Sequence, residues 1–286
     1  MSDLATLFEP VTLEASGYRF GGFAAGPAAG PLVLLLHGWP EFADSWTEIA
    51  RGLGNDGYRA VAIDQRGYGP GARPAEVAAY GIEPLVADVL AFADALGRER
   101  FHLVAHDWGA ILGWFAAVNH ADRVASFTSL ATPHVRALAE AKANDPDQQK
   151  RTAYVDFFKL PGNVAEQRLL SDGATPLRKV YEGKFPAAHV DENVRRLSEP
   201  GALTATLNWY RAFDFNPQLG PATVPTLFVW GSNDRALGER AARNTAQYVT
   251  GPYRFEVLEG VSHWIPVEVP ERVLPLLRDH LSAHPL

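Results

Sequence analysis

Phe101-His102-Leu103-Val104-Ala105-His106-Asp107-Trp108-Gly109-Ala110 is the stretch that orders the rest of the chain. An apolar run of strand formers stops at a small-x-acid-x-small turn. A helical pattern with Ile111, Leu112 and Phe115 on one face follows at once. So tight a strand–turn–helix holds its middle residue in strained backbone geometry and lifts that side chain above the sheet. Small flanking residues, here Ala105 and Gly109, are needed because strand and helix nearly collide. This is a nucleophile elbow, and its usual occupant is serine. Here the tip is Asp107.

On either side of the elbow, apolar strands alternate with helices. Strands are predicted at 17–25, 31–36 and 58–63, and helices at 46–53 and 85–96, the latter closed by Gly97. Beyond the elbow come strands at 124–130, 225–230 and 253–258, then a last helix ending near Leu281. Such alternation predicts a mostly parallel α/β sheet covered on both faces. The rhythm breaks over 134–218, where helix-compatible polar stretches are punctuated by Pro146, Pro161, Pro176, Pro186 and Pro200. That reads as a helical insertion of roughly 85 residues, enough for a lid over the strand ends. The expected division is core at 1–133, lid at 134–218 and core again at 219–286.

Composition narrows the function. With 47% hydrophobic and 21% charged residues, the 286-residue chain is ordinary for a globular protein with a large core. A net charge of −7 and a pI of about 5.7 argue against nucleic acid or an anionic membrane as partner. The absence of cysteine removes disulfides, thiolate metal sites and thiol nucleophiles together. Met-Ser-Asp-Leu-Ala-Thr lacks a basic-then-apolar leader pattern, and no apolar run is of membrane-crossing length. A cytoplasmic protein, monomer or homodimer, is expected, with no metal and no cofactor beyond water.

Open α/β sheets place their sites at the carboxyl ends of strands. Four such ends stand out: His37-Gly38-Trp39-Pro40, Asp107, Gly231-Ser232-Asn233-Asp234 and Gly260-Val261-Ser262-His263-Trp264. Each has a plain alternative. A loop aspartate such as Asp107 or Asp234 often only caps a turn or helix. His102, His120, His189, His280 and His284 are taken as structural. What favours a catalytic set is joint position, in the order nucleophile, acid, histidine. The strand end at Leu130 offers Ala131-Thr132-Pro133 and no carboxylate, which leaves Asp234 as the acid.

A serine needs a base before it attacks, whereas a carboxylate is already an anion. Asp107 can therefore displace a leaving group at a saturated carbon and become an alkyl ester. His263, oriented by Asp234, is then free to take a proton from water for attack on that ester. Backbone N–H groups of Trp39 and Trp108 are the expected oxyanion donors. His37, Trp39, Trp108 and Trp264 are expected to line an apolar pocket. Halide leaves unprotonated, often against an indole, whereas an epoxide oxygen leaves as a basic alkoxide that needs an acid. Tyrosine, with an ordinary pKa of about 10, suits that task. Tyr154 and Tyr210, both in the insertion, are the candidates.

At this point the chain resembles the α/β-hydrolase-fold epoxide hydrolases over nearly its whole length. The resemblance rests on His37-Gly38-Trp39-Pro40-Glu41, Asp64-Gln65-Arg66-Gly67-Tyr68-Gly69, His106-Asp107-Trp108-Gly109, Asn208-Trp209-Tyr210-Arg211 and Gly260-Val261-Ser262-His263-Trp264. It implies an eight-stranded, mostly parallel sheet with a helical lid, and a lid tyrosine pair that clamps the epoxide oxygen. The spacing to Pro161-Gly162 puts the first tyrosine at Tyr154, with Tyr181 and Tyr80 as alternatives. Ala105 and Ala110 stand where glycine is usual. Arg66 is expected in a structural salt bridge.

The expected activity is hydrolysis of an apolar epoxide to a vicinal diol. A hydrolytic dehalogenase is the alternative, since Asp107, Asp234 and His263 would serve it unchanged. Against it, Trp39 stands where haloalkane dehalogenases commonly have asparagine, and Trp108 where the fluoroacetate type has arginine. A non-catalytic receptor on the same fold is the third reading.

Overall fold

Eight strands form one sheet in the order β1-β2-β4-β3-β5-β6-β7-β8. They are β1 (Glu9–Ala15), β2 (Tyr18–Ala25), β3 (Leu32–Leu36), β4 (Arg59–Ile63), β5 (Phe101–His106), β6 (Val124–Leu130), β7 (Thr226–Gly231) and β8 (Tyr253–Leu258). The first two pairings, β1 with β2 and β2 with β4, are antiparallel, and every other pairing is parallel. The computed structural model describes residues 8–214 and 218–286. The N-terminal stretch read above for a leader, and residues 215–217 of the expected lid, lie outside the described residues.

Strand β1 was not among the sequence expectations. Its buried residues Val11, Leu13 and Ala15 alternate with exposed ones, the period of a half-covered strand. Central strands are buried on both faces, so they read as unbroken apolar runs. In β3, Leu32, Leu34 and Leu36 join one core, and Val33 and Leu35 the other. Helices α1 (Thr47–Asn55), which supplies Ile49, Ala50 and Leu53, and α12 (Pro270–Ala283), which supplies Val273, Leu277 and Leu281, close the second core. Helices α2 (Ile82–Ala95) and α3 (Trp108–Asn119) cover the first.

Between β6 and β7 run α4 (Val135–Asn144), α5 (Pro146–Arg151), α6 (Tyr154–Phe158), α7 (Val164–Val180), α8 (Ala187–Leu197) and α9 (Ala202–Ala212). The helical φ/ψ of α7 is interrupted from Ser171 to Ala174. Short α10 (Glu239–Asn244) and α11 (Ile265–Glu268) complete the set. The insertion is tied to the core by directional bonds. The Trp209 indole donates to the Arg66 carbonyl at 2.9 Å, and the Tyr181 hydroxyl to the Pro40 carbonyl at 2.7 Å. Arg196 reaches Asp64 and lies over the Phe42 ring. Arg66 itself forms a bidentate pair with Asp88, both side chains buried. No helix among the described residues is long and apolar enough to cross a membrane.

Three histidines set an acid limit on this fold. Burial pushes His102, His134 and His280 down to about 4 from the ordinary 6.5. Their stabilising neutral state is complete above pH 6.5 and is lost as pH falls towards 4, because the unfolded chain takes up protons the fold refuses. Each refused proton steepens the loss by up to about 1.4 kcal/mol per pH unit. Denaturant midpoints measured from pH 7 to pH 4.5 should therefore fall steadily, and a flat profile would contradict the assignment.

Candidate active site

The turn from β5 into α3 leaves Asp107 at φ 50° and ψ −118°, outside the ordinary regions for an L-residue. Its carbonyl accepts from the amides of Ala110 and Ile111, each at 3.0 Å, and from the Thr132 hydroxyl at 3.1 Å. The strand end at Leu130 therefore contributes a hydroxyl that steadies the elbow. Crowding accounts for the small neighbours. A Cβ on Gly109 would lie 2.4 Å from the Leu36 carbonyl oxygen, while Ala105 and Ala110 are fully buried without needing to be glycine.

Gly38 is equally constrained, which its place in a turn-like Gly-Trp-Pro did not reveal. A Cβ there would meet the Asp107 Cβ at 2.3 Å and Oδ1 at 2.5 Å. Gly38→Ala should cost about 1–3 kcal/mol of stability from overpacking and about 10²-fold in rate from displacing the carboxylate. Thermal unfolding and turnover measured side by side would check this, and unchanged turnover would refute it.

The three candidate triad residues come from the ends of β5, β7 and β8 and meet in space. His263 Nε2 is 3.4 Å from Asp107 Oδ2, and its Nδ1 is 2.7 Å from Asp234 Oδ2. Asp234 Oδ1 also accepts the amides of Ala236 and Leu237 at 2.7 and 2.9 Å. Turn cap and histidine partner are thus one residue. The Trp39 amide donates to Asp107 Oδ1 at 2.8 Å. Burial alone would drive the His263 imidazole down, but the carboxylates of Asp234 and Asp107 outweigh it and hold the ring well above its ordinary range. Burial would raise Asp107, yet His263, followed by His106 and the Trp39 amide, keeps its carboxyl below the usual value. His263 thus lies between two carboxyl groups that favour its protonated form.

Sequence reading gave His106 and Glu41 no role. The fully buried His106 ring donates from Nε2 to the His263 carbonyl at 2.9 Å, with Nδ1 facing Glu41 Oε2 at 2.7 Å. Only contacts between distant segments expose this support.

Tyr154 and Tyr210 stand over Asp107 with ring centroids 6.2 Å apart. Tyr210 is buried and Tyr154 is 36% exposed, yet desolvation about the hydroxyl raises both phenols and the Asp107 charge adds to it; for Tyr154 the hydrogen bond with Tyr210 acts in the opposite direction. Both therefore stay protonated at neutral pH. Tyr80 and Tyr181, the alternatives, donate instead to the carbonyls of Pro74 and Pro40.

Asp107, Tyr154 and Tyr210 appear in the walls of two cavities. The outer one, about 290 Å³, also has Trp39, Phe158, Val180, His263 and Trp264 in its walls. The inner one, about 40 Å³, is walled by Trp108, Ile111, Val135 and Phe213 among others. His37, expected in the pocket, lines neither. It is fully buried, its Nδ1 donating to the Gly38 carbonyl and its Nε2 accepting the Gln65 amide, so it braces the loop beneath Asp107. Among the described residues no group of three or more His, Cys, Asp or Glu side chains is placed to hold a metal ion.

Residues 31–270 match the family described as alpha/beta hydrolase fold. The chain is 34% identical to epoxide hydrolase A of Mycobacterium tuberculosis, over 95% of this chain and 96% of that protein. It is 36% identical to epoxide hydrolase 3 of Xenopus tropicalis, over 95% of this chain and 77% of that one. The crystal structure of epoxide hydrolase A from Mycobacterium thermoresistibile superposes with a TM-score of 0.87 at 30% identity, covering 98% of this chain and 99% of that chain.

Proposed function

The chain belongs to the epoxide hydrolases of the α/β-hydrolase fold, and from that premise we propose that it opens an apolar epoxide to a vicinal diol through an alkyl ester on Asp107. The observation that carries this reading is a pair of phenols, Tyr154 and Tyr210, lining the same cavities as Asp107, in surroundings that raise both phenols and lower the carboxyl.

In the first step Asp107 Oδ2 bonds to a ring carbon and the carbon–oxygen bond of the epoxide breaks. A phenol of the pair protonates the departing oxygen, a contribution of typically 10²–10⁴-fold. Esterification cancels one of the two negative charges that hold the His263 proton. The imidazolium then yields that proton to the new tyrosinate and becomes a neutral base. Water gives a proton to His263, and the hydroxide attacks the ester carbonyl of Asp107. The oxyanion forms at Oδ1, where the Trp39 amide already donates, with the Trp108 amide as the proposed second donor. Collapse breaks the bond from the carbonyl carbon to Oδ2. The diol takes its last proton from the new carboxyl group, which restores the carboxylate and the imidazolium.

Halide displacement finds less support. The Trp39 indole donates to Thr206 Oγ1 at 3.2 Å, and the Trp108 indole is hydrogen-bonded to Tyr210, so both are engaged. In this reading residues 134–218 form the lid that excludes water.

One turnover with an aryl epoxide in heavy-oxygen water tests the scheme. The first diol released should contain only unlabelled oxygen, with the label in the Asp107 carboxylate. Label in the first diol would reject the ester.

A further inference from the structure

Three helices of the insertion rest on one loop of the core, residues 37–46, which carries the Trp39 amide. At the end of α7 the Tyr181 hydroxyl donates to the Pro40 carbonyl at 2.7 Å, and in α9 Thr206 accepts the Trp39 indole at 3.2 Å. Helix α8 brings two basic side chains. His189 Nε2 lies 3.4 Å from Asp44 Oδ1, while Arg196 bonds Asp64 with its guanidinium 3.6 Å over the Phe42 ring. Polar ties between an insertion and a core loop are ordinary. What sets Arg196 apart is the use its partner makes of the second carboxylate oxygen.

Asp64 follows β4, and its carboxylate has two duties. Oδ2 takes the Arg196 guanidinium, and Oδ1 accepts the Ala43 amide at 2.8 Å. Helix α8 is therefore one carboxylate away from the backbone of the loop. Between Ala43 and Trp39 there is little slack. The Glu41 amide donates to the Gly38 carbonyl at 3.0 Å, and Phe42 is fully buried, with Tyr68 edge-on to its ring at 5.3 Å. The Trp39 amide in turn donates to Asp107 Oδ1 at 2.8 Å.

That amide favours negative charge on Oδ1, so its effect differs between the two half-reactions. In ring opening Asp107 gives its charge away, and the amide contributes nothing to the rate. In ester hydrolysis the charge returns to Oδ1 as the oxyanion, and the donor must lie within about 2.7–3.1 Å of it. A displacement of about 1 Å can cost about 10²-fold. Resting on the epoxide-hydrolase reading, we propose that Arg196, acting through Asp64, is a positioning residue for the Trp39 amide. Seating α8 on the core thereby sets the rate of ester hydrolysis and leaves ring opening alone.

Single-turnover and steady-state runs with styrene oxide on Arg196→Gln and Asp64→Asn test this. In Asp64→Asn the amide oxygen can still accept from Ala43, but the charge that draws Arg196 is gone. In both variants the Asp107 ester should form within about twofold of the parent rate. It should decay about tenfold more slowly, short of the 10²–10³-fold that follows loss of a whole donor. Intact mass during turnover should then show more chains carrying the adduct, and kcat and KM should fall together. Arg196→Lys keeps the charge without the planar fork and should recover part of the loss. Glu199→Gln removes the insertion's ion pair with Arg73, away from this loop, and should leave ester decay unchanged. Equal slowing of ester formation and decay, or the same slowing in Glu199→Gln, would mean a merely structural tie and overturns the proposal. So does unchanged decay in Arg196→Gln or, should that variant not fold, in Asp64→Asn. If the parent chain forms neither ester nor diol from styrene oxide or an aliphatic epoxide, the epoxide-hydrolase reading itself has failed.

Discussion

Replacing Asp107 with alanine lowers diol formation by about 10⁴-fold or more, the size of loss that follows removal of a covalent nucleophile. No neighbouring group replaces it: Asp234 is fully buried behind His263 and bonded to two amides. The variant should fold. Asp107 sits at φ 50°, and the chain already tolerates alanine at positive φ at Ala131 and Ala174, so the backbone penalty is about 1 kcal/mol. Removing one carboxylate from beside the imidazolium should also lower the His263 pKa, because Asp107 is one of the two charges that raise it. NMR titration of His263 thus reports the loss of the charge independently of activity. Turnover within tenfold of the parent would sink the assignment of Asp107.

The second large effect separates the two half-reactions. In His263→Gln the Asp107 carboxylate and the tyrosine pair remain, so the ester still forms, but glutamine cannot take a proton from water. Steady-state turnover should fall by about 10³-fold, within the usual range for a general base. Intact-mass measurement should show nearly one substrate bound per chain, with the added mass on the peptide containing Asp107. A variant that neither turns over nor acquires the adduct would mean that Asp107 is not alkylated. Wild-type turnover would mean that His263 is not the base.

Much of the architecture was legible from pattern alone. Apolar runs such as Leu32 to Leu36 and Phe101 to Ala105 announce doubly buried strands, and the small residues about Asp107 announce the elbow. The period-two signal of β1 was present in Val11, Leu13 and Ala15, but three residues between exposed neighbours form a weak pattern. Candidate residues at strand ends stand out in the sequence because strand ends are local features that turn chemistry marks. His37 misled for the same reason: it occupies such an end, yet its ring turns inward to Gly38 and Gln65.

What the amino-acid sequence determined unaided is the set of local commitments: strand or helix, the sharp bend at 107, and an acid where serine is usual. Periodicity and turn residues encode these within a few positions of one another. Tertiary structure alone decided which side chains meet. It set the His106–Glu41 brace under His263, the clearance that Gly38 leaves for Asp107, and the placing of Tyr154 and Tyr210 on the walls of the cavities that Asp107 also lines. Those are contacts between segments far apart in sequence. Their geometry depends on how the sheet and the helical insertion pack as solids, and no local pattern encodes that.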